Sequence, residues 1–224
     1  MSKSLGQRRQ VGFVENFRLL AARIRAMEVG RPPRASPATG PAPSTAQRLR
    51  TLLIMSAYPG DGRTTVVINL GIALAEGGSS VLLVDGDMRN SALAQRLDVT
   101  ASRTVQQLLT DKRVLSRLDE EPIGLPTSIE HVQVLPAKRQ EWGQPVPVLS
   151  PLIDLLPKEH AVDYIILDSP PCLRYADAFQ LAPLVDGVFY VVRRRDQDWE
   201  TQRDIRTQLD QAGANLLGVI FNRG

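Results

Sequence analysis

Short runs of apolar residues, separated by segments with helical spacing, dominate the chain from residue 47 onward. Each run is rich in Val, Ile and Leu and alternates little with polar residues, which is typical of strands covered on both faces. The runs occupy residues 51–56, 80–85, 131–136, 162–168, 186–193 and 215–221. Such strands alternating with helices predict an α/β fold, with a doubly wound, mostly parallel sheet flanked by helices. Two shorter helices are expected around 103–109 and 112–118.

A different pattern precedes this region. Residues 12–28 repeat apolar positions at helical spacing and predict an amphipathic helix. Its apolar face is formed by Phe13, Phe17, Ala21 and Ile24. Arg18 and Arg25 are expected to point away from that face.

Composition divides the chain into three parts. Residues 1–28 are a basic arm that contains the amphipathic helix, and five prolines make residues 29–46 an extended linker without a core of its own. Residues 47–224 are long and apolar enough to form a single domain around one core.

Charge is unevenly distributed, although the net charge of the 224 residues is only +3. Residues 1–50 hold ten Lys and Arg against two Glu, whereas the rest of the chain holds 17 basic and 22 acidic side chains. A basic arm on a mildly acidic body favours an acidic partner, a membrane surface or nucleic acid, and a solvated tail is the alternative. The single cysteine, Cys172, and the lack of a bilayer-length apolar run predict a cytoplasmic protein.

The segment 52–65 carries the clearest chemical signal. An apolar strand runs into a turn rich in Gly and Pro, and an amphipathic helix follows. This is the layout of a phosphate-binding loop, in which backbone amides and a helix N-terminus face an anion. Glycines let the loop wrap closely around phosphate, and the Thr64 hydroxyl is placed to bind Mg²⁺. The expected nucleotide-binding residues of the loop are Pro59, Gly60, Asp61, Gly62, Arg63, Thr64 and Thr65.

Two positions depart from the strict phosphate-loop pattern. Ala57 replaces its first glycine, and Arg63 replaces its lysine. Arginine keeps the positive charge but presents a wide planar fork, so the exchange is not conservative where phosphate lies against the backbone. Losing one electrostatic contact to a transition state costs on the order of 3 kcal/mol, a hundredfold or more in rate. Phosphoryl transfer should therefore suffer more than nucleotide binding.

Two further apolar strands end in carboxylates. The strand at 80–85 leads into Asp85 and Asp87, and the strand at 162–168 ends in Asp168. Because parallel strands deliver their C-terminal ends to one edge of a sheet, we expect these carboxylates to converge beside the loop. Phosphoryl transfer uses such groups to hold Mg²⁺ and to orient or deprotonate the acceptor hydroxyl. Each Asp alone would be an ordinary cap, but the three in this order favour a nucleotide site.

These motifs resemble the cytoplasmic domain of the bacterial tyrosine kinases that regulate capsular and exopolysaccharide export. That family is a branch of the P-loop NTPases, related to plasmid-partition and division-site-selection ATPases. The resemblance covers about residues 12–224, with 56–65 as the Walker A loop, 84–89 as the Walker A′ strand and 165–171 as Walker B. The partition ATPases usually carry an additional lysine early in the loop, which is absent here, so the kinase branch is favoured.

The resemblance implies ATP and Mg²⁺ as cofactors. Amides of residues 60–64 would cradle phosphate, with Asp85 as the base that Asp87 supports. The implied metal ligands are Thr64, Asp85 and Asp168. The implied catalytic residues are Asp85, Asp87 and Arg63. Asn222, at the end of the last strand, would contact adenine, and a turn-forming role for Asn222 is the alternative.

The resemblance also implies partners. A membrane-embedded polysaccharide co-polymerase would hold the protein at the inner face of the cell membrane, as a homo-oligomer, and no nucleic acid is expected. The family's C-terminal tyrosine cluster is missing, and Arg63 departs from its pattern. We therefore expect either a weak kinase or a catalytically degenerate, nucleotide-responsive regulator. A positioning-type ATPase whose basic arm binds membrane or DNA, and an adaptor that binds no nucleotide, are the alternatives.

Overall fold

The computed structural model describes residues 2–28, 50–111, 122–140, 148–155, 162–193 and 198–222. The predicted linker at 29–46 and the predicted helix at 112–118 lie outside the described residues. Division of the chain into three parts therefore stays a prediction.

The described residues form seven strands and seven helices. The strands are β1 (Arg50–Ser56), β2 (Val81–Asp85), β3 (Leu125–Pro126), β4 (Val132–Leu135), β5 (Tyr164–Asp168), β6 (Gly187–Arg193) and β7 (Leu216–Asn222). The helices are α1 (Ser2–Glu28), α2 (Arg63–Glu76), α3 (Leu93–Arg96), α4 (Val105–Thr110), α5 (Ser150–Leu155), α6 (Asp177–Leu181) and α7 (Trp199–Gln211). None of these helices combines the length and apolar character that a membrane crossing needs.

All seven strands lie in one sheet, in the order β3-β4-β2-β5-β1-β6-β7. Every described pairing is parallel except that of β3 with β4. The predicted doubly wound, mostly parallel sheet is thus confirmed, and the six predicted strands agree with the observed ones within two residues. The sequence pattern missed β3, because two residues that include a proline show no periodicity.

Two apolar clusters cover the two faces of the sheet. Neighbouring residues on β1 belong to different clusters, because successive side chains of a strand point to opposite faces of the sheet. Leu53 lies in one cluster and Leu52 in the other. The Leu53 cluster includes side chains from α4, α5, α6 and α7, and the Leu52 cluster includes side chains from α1, α2 and α3. The sheet is therefore buried on both faces, as its apolar strands require.

Helix α1 packs along α2. Phe17, Ala21 and Ile24 are buried as predicted, whereas Phe13 is 38% exposed and touches the Phe17 ring edge-on. The expectation that Arg18 and Arg25 point away from the buried side is wrong.

Both arginines reach the C-terminal end of α2. Arg18 pairs with Glu76, with Nε and Oε2 2.8 Å apart, and Arg25 Nη1 donates to the carbonyl oxygen of Gly77 at 2.9 Å. Long side chains can cross a helix interface in this way, and the last carbonyls of a helix attract a cation. Charged residues therefore frame the apolar contact between the two helices.

Candidate functional site

The predicted loop and the three carboxylates lie together at one edge of the sheet. Strands β1, β5 and β2 are neighbours, and the Cα atoms of Asp85 and Asp168 are partners in the β2–β5 register. The Gly86 amide donates to the carbonyl oxygen of Asp168 at 2.8 Å, and a Cβ added at Gly86 would lie 2.5 Å from that oxygen. The ends of β2 and β5 therefore lie in close contact at the carboxyl edge of the sheet, as parallel pairing predicts.

The loop between β1 and α2 has the backbone shape of an anion cradle. Gly60 and Gly62 have φ values of 85° and 96°, in the region that favours glycine. Asp61 is buried, and its Oδ2 accepts the backbone N–H of Tyr58 at 2.9 Å, which braces the turn. Gly62 caps α2 without any side-chain hydrogen bond. The N–H groups of the first turn of α2 therefore face outward for an anion such as phosphate.

The Arg63 guanidinium points inward, beneath the loop. Only 8% of the residue is exposed. Its hydrogen-bond acceptors are Ser56 Oγ, the carbonyl oxygens of Tyr58 (3.1 Å) and Ser169 (2.8 Å), and Asp87 Oδ2 (3.5 Å). Its Nε also lies 3.8 Å from Asp168 Oδ1. The side chain thus ties the loop to the ends of β1 and β5.

Sequence reasoning missed Ser56 and Ser169, which hold this guanidinium. Both serines are fully buried. Ser56 ends β1, and Ser169 directly follows β5. For Ser56 the signal was a small polar residue at the end of an apolar strand, because a buried hydroxyl group requires a hydrogen-bond partner. Ser169 instead accepts from Arg63 through its backbone carbonyl oxygen, which no side-chain pattern marks.

Thr64 and Asp168 contact each other directly below the loop. Thr64 Oγ1 donates to Asp168 Oδ2 at 2.6 Å. Burial raises the pKa of Asp168 to about 7, and the nearby Asp85 carboxylate adds to this rise. Arg63 and Thr64 oppose it. The other oxygen, Oδ1, is buried and accepts no hydrogen bond from the described residues. An unsatisfied buried carboxylate oxygen fits a site that takes up a cation.

Asp85 joins the end of β2 to the start of α3. Its Oδ2 accepts hydrogen bonds from the Ser91 hydroxyl at 2.8 Å and from the amides of Ala92 and Leu93 at 3.0 and 3.2 Å. Burial nevertheless raises the pKa of Asp85 to about 6. Its Oδ1 is buried and has no hydrogen-bond partner within the described part of the chain. Asp85 therefore uses one oxygen for structure and keeps the other available.

Asp87 lies between Arg63 and the turn that follows β2. Its Oδ1 accepts the amide of Asn90 at 3.1 Å. Burial raises the pKa of Asp87, and the Arg63 guanidinium limits the rise. The site thus holds three buried carboxylates whose pKa values are all raised by burial, a pattern that is concentrated at functional sites.

The predicted metal ligands do not form a closed protein cage. Among the described residues, no three His, Cys, Asp or Glu side chains are close enough to hold a metal ion. Thr64 Oγ1 and the unsatisfied oxygens of Asp85 and Asp168 are a partial set of hard oxygen ligands. Such a set suits Mg²⁺ in an open site, where water and phosphate supply the remaining ligands.

The other predicted binding residues surround the loop. Pro59 is exposed on it, and Thr65 Oγ1 accepts a hydrogen bond from Arg96 Nη1 at 2.9 Å. Asn222 Nδ2 donates to the carbonyl oxygen of Asp61 at 2.9 Å, and a Cβ at Gly62 would lie 2.0 Å from that nitrogen. The contact of Asn222 with adenine stays a prediction, while its contact with the loop is observed.

Known proteins share this architecture. The model of the AAA domain family matches residues 49–183. The tyrosine-protein kinase CpsD of Streptococcus pneumoniae serotype 4 is 31% identical over 182 residues, which cover 79% of this chain and 77% of CpsD. The succinoglycan biosynthesis transport protein ExoP of Rhizobium meliloti is 28% identical over 184 residues, which cover 78% of this chain and 22% of ExoP.

A solved structure extends the comparison. The septum site-determining protein MinD of Pyrococcus horikoshii, complexed with Mg-ADP, superposes with a TM-score of 0.62 at 28% identity, covering 79% of this chain and 71% of MinD. The family model spans more than half of the chain, and the similarity to CpsD spans most of both proteins. The loop, the paired Thr64 and Asp168 and the parallel sheet agree with that relationship. The chain therefore belongs to the AAA domain family of P-loop ATPases and is a homologue of bacterial tyrosine-protein kinases.

Proposed function

We propose that this protein binds Mg-ATP and acts as a bacterial tyrosine-kinase-like regulator of polysaccharide polymerisation or export, with catalysis weakened by Arg63. The observation that carries the proposal is the hydrogen bond between Thr64 and Asp168 beneath a glycine loop, beside two unsatisfied carboxylate oxygens. A hydroxyl and carboxylates so placed are the parts that hold Mg²⁺ against a bound triphosphate. The similarity to MinD, solved with Mg-ADP, supports the choice of cofactor.

Each residue of the site has a distinct role in this proposal. ATP with Mg²⁺ supplies the transferable phosphoryl group and the positive charge that the buried carboxylates need. The amides at the start of α2 bind phosphate, while Thr64 and Asp168 hold the metal ion. Asp85, whose pKa is raised to about 6, is mostly ionised at pH 7 and is a stronger base than an ordinary aspartate. It orients the acceptor hydroxyl and takes its proton.

Arg63 is the reason for weak catalysis. Its guanidinium is committed to acceptors below the loop, including the carbonyl oxygens of Tyr58 and Ser169. Turning toward a phosphate would break several charge-assisted hydrogen bonds, each worth roughly 1.5–3 kcal/mol. A lysine has a single compact ammonium group and is held by fewer contacts. The native side chain therefore favours the loop over the transferring phosphoryl group.

The test is phosphoryl transfer from radiolabelled ATP, with purified Arg63→Lys compared with the native protein. We expect the Lys variant to label protein tyrosine at least tenfold faster, and Asp85→Ala to abolish labelling. Arg206→Lys is the matched control, because Arg206 is exposed on α7 and pairs only with Asp210 among the described residues. Equal rates for the native protein and Arg63→Lys would contradict the role of Arg63.

The same assay separates the alternatives. A positioning-type ATPase, favoured by the similarity to MinD, would release inorganic phosphate without labelling tyrosine. An adaptor would give neither product, and calorimetric titration would show that it binds neither Mg-ATP nor Mg-ADP. Robust tyrosine labelling by the native protein would contradict the proposal that Arg63 weakens catalysis, and the protein would then be an ordinary kinase.

The partner in this proposal is a membrane polysaccharide co-polymerase. The name of ExoP, a succinoglycan biosynthesis transport protein, supports a place in polysaccharide export. The protein would then act as a homo-oligomer on the cytoplasmic face of the membrane, with its basic N-terminal residues near the lipid surface. The ten basic side chains among residues 1–50 support that contact.

A further inference from the structure

Two arginines contact the phosphate loop and the start of α2, one buried and one exposed. Arg63 lies beneath it, buried and committed to the ends of β1 and β5. Arg96 approaches from outside: it is exposed, and its Nη1 donates to Thr65 Oγ1 at 2.9 Å. Thr65 lies in the first turn of α2, next to the amides that form the anion cradle. The loop therefore has a second cation at its outer rim.

The position of Arg96 is set by α3. Asp85 Oδ2 accepts the amides of Ala92 and Leu93, which fixes the start of α3 against the end of β2. Leu93 and Leu97, four residues apart, are buried in the cluster that contains the side chains of α2. Arg96 lies between them in sequence and faces solvent. Packing thus presents its guanidinium beside α2 without burying it.

Arg96 is also well suited to a ligand by charge. Within the described part of the chain its guanidinium pairs with no carboxylate, and the one hydrogen bond observed for that group goes to the neutral Thr65 hydroxyl. A guanidinium has five N–H donors in a planar fork that matches phosphate oxygens. Arg63, in contrast, already has two carboxylates nearby, Asp87 and Asp168. The uncompensated positive charge at the loop is therefore that of Arg96.

We propose that Arg96 is a cation that contacts the phosphate groups of a nucleoside di- or triphosphate held by this loop, a contact for which the guanidinium of Arg63, bonded to buried acceptors, is not free. The proposal rests on the proposed nucleotide function and assigns its phosphate contact to α3. The guanidinium keeps its hydrogen bond to Thr65 and donates its remaining N–H groups to phosphate oxygens. Because Asp85 Oδ2 accepts the amides at the start of α3, the position of Arg96 depends on that of the Asp85 carboxylate.

The experiment is calorimetric titration of the full chain with Mg-ADP, Mg-ATP and magnesium pyrophosphate. Arg96→Ala should weaken all three by about tenfold, the effect of losing one charged hydrogen bond. Arg96→Lys should weaken them by about threefold, since charge remains but the fork is lost. The loss should shrink as NaCl rises from 50 to 300 mM, because exposed charges are screened. Arg206→Ala, an exposed arginine on α7, is the matched control and should change nothing.

Each outcome decides the proposal. If Arg96→Ala and Arg96→Lys bind Mg-ADP as tightly as the native protein, the assignment of Arg96 is wrong, while the nucleotide function stands. A tenfold loss that does not vary with salt, or that leaves pyrophosphate affinity unchanged, would show that Arg96 acts through packing and would also overturn the assignment. If the native protein binds no nucleotide, the proposed function fails and this inference fails with it. A thermal melt of each variant establishes that it is folded.

Discussion

In two arginine–carboxylate pairs of this protein, the pKa of the carboxyl group is shifted in opposite directions. At the carboxyl edge of the sheet, Arg63 Nε lies 3.8 Å from Asp168 Oδ1, and both side chains are buried. At the α1–α2 interface, Arg18 Nε lies 2.8 Å from Glu76 Oε2, and about half of each side chain is exposed. Burial raises the pKa of Asp168 to about 7, whereas the hydrogen bond from Arg18 lowers the pKa of Glu76.

The difference lies in desolvation. In the site, the desolvation of three carboxylates costs more free energy than their attraction to one guanidinium provides. The ionised carboxylates therefore destabilise the folded state. A bound cation would relieve this destabilisation. At the α1–α2 interface the charges stay in water, and Phe17, Ala21 and Ile24 supply the binding between the helices. Buried charge thus lowers the stability of the first region, whereas apolar contacts stabilise the second.

The largest effect on stability should come from the apolar side of this comparison. Ile24 is 2% exposed and packs in the cluster shared by α1 and α2. Ile24→Ala should lower the free energy of unfolding by about 3 kcal/mol, because it removes buried methyl groups and leaves a cavity. Leu19→Ala, at a position on the same helix that is 54% exposed, is the control and should cost little. Urea denaturation measures both, and equal costs would mean that α1 is not anchored by burial.

Removing a buried carboxylate should have the next largest effect on the free energy of unfolding, and it should raise that free energy rather than lower it. The pKa of Asp168 is higher in the folded than in the unfolded chain, so the folded state binds more protons between about pH 4 and 7. Stability is therefore lost as pH rises through that window, and Asp85 contributes in the same direction. Asp168→Asn cannot ionise, so it should gain roughly 2 kcal/mol at pH 8 and flatten the profile.

Denaturation midpoints from pH 4.5 to 8 test this expectation. Asp186→Asn is the control: Asp186 Oδ2 accepts the amide and the hydroxyl of Thr51, away from the loop. It should give no gain at pH 8. A native protein whose stability rises across this pH range would contradict the account of the site.

The smallest effect should come from the surface pair. Arg18→Gln and Glu76→Gln, alone and together, should leave the denaturation midpoint unchanged within error, since exposed ion pairs contribute little. The double-mutant cycle measures the coupling of the pair directly. A coupling as large as the effect of Ile24→Ala would mean that charge, rather than apolar burial, holds α1 in place.

Much of the fold was predictable from local pattern. The six longer strands, the loop and the order of the three carboxylates follow from apolar runs and their endings, because parallel topology brings those endings to one edge. The N-terminal helix was predicted to begin at residue 12 and instead begins at Ser2. Short helices such as α3 and α5 were missed, since four to six residues carry too little periodicity.

The site was less predictable in its details. The predicted convergence of the loop and the three carboxylates is observed, and their roles stay a prediction. The direction of Arg63 and the contact of Arg96 with Thr65 depend on contacts between distant parts of the chain. Arg63 meets Ser169 across 106 positions, and Asn222 meets Asp61 across 161. No local pattern encodes such pairs.

The sequence by itself determined which groups are present: a glycine loop, a hydroxyl, three carboxylates at strand ends and an arginine in place of lysine. Only the tertiary structure decided which way each charge faces. It turned Arg63 inward to buried acceptors, left one oxygen each of Asp85 and Asp168 without a hydrogen bond and presented Arg96 at the rim. The physical reason is that side-chain direction and desolvation depend on the surrounding packed elements, which are assembled from across the whole chain.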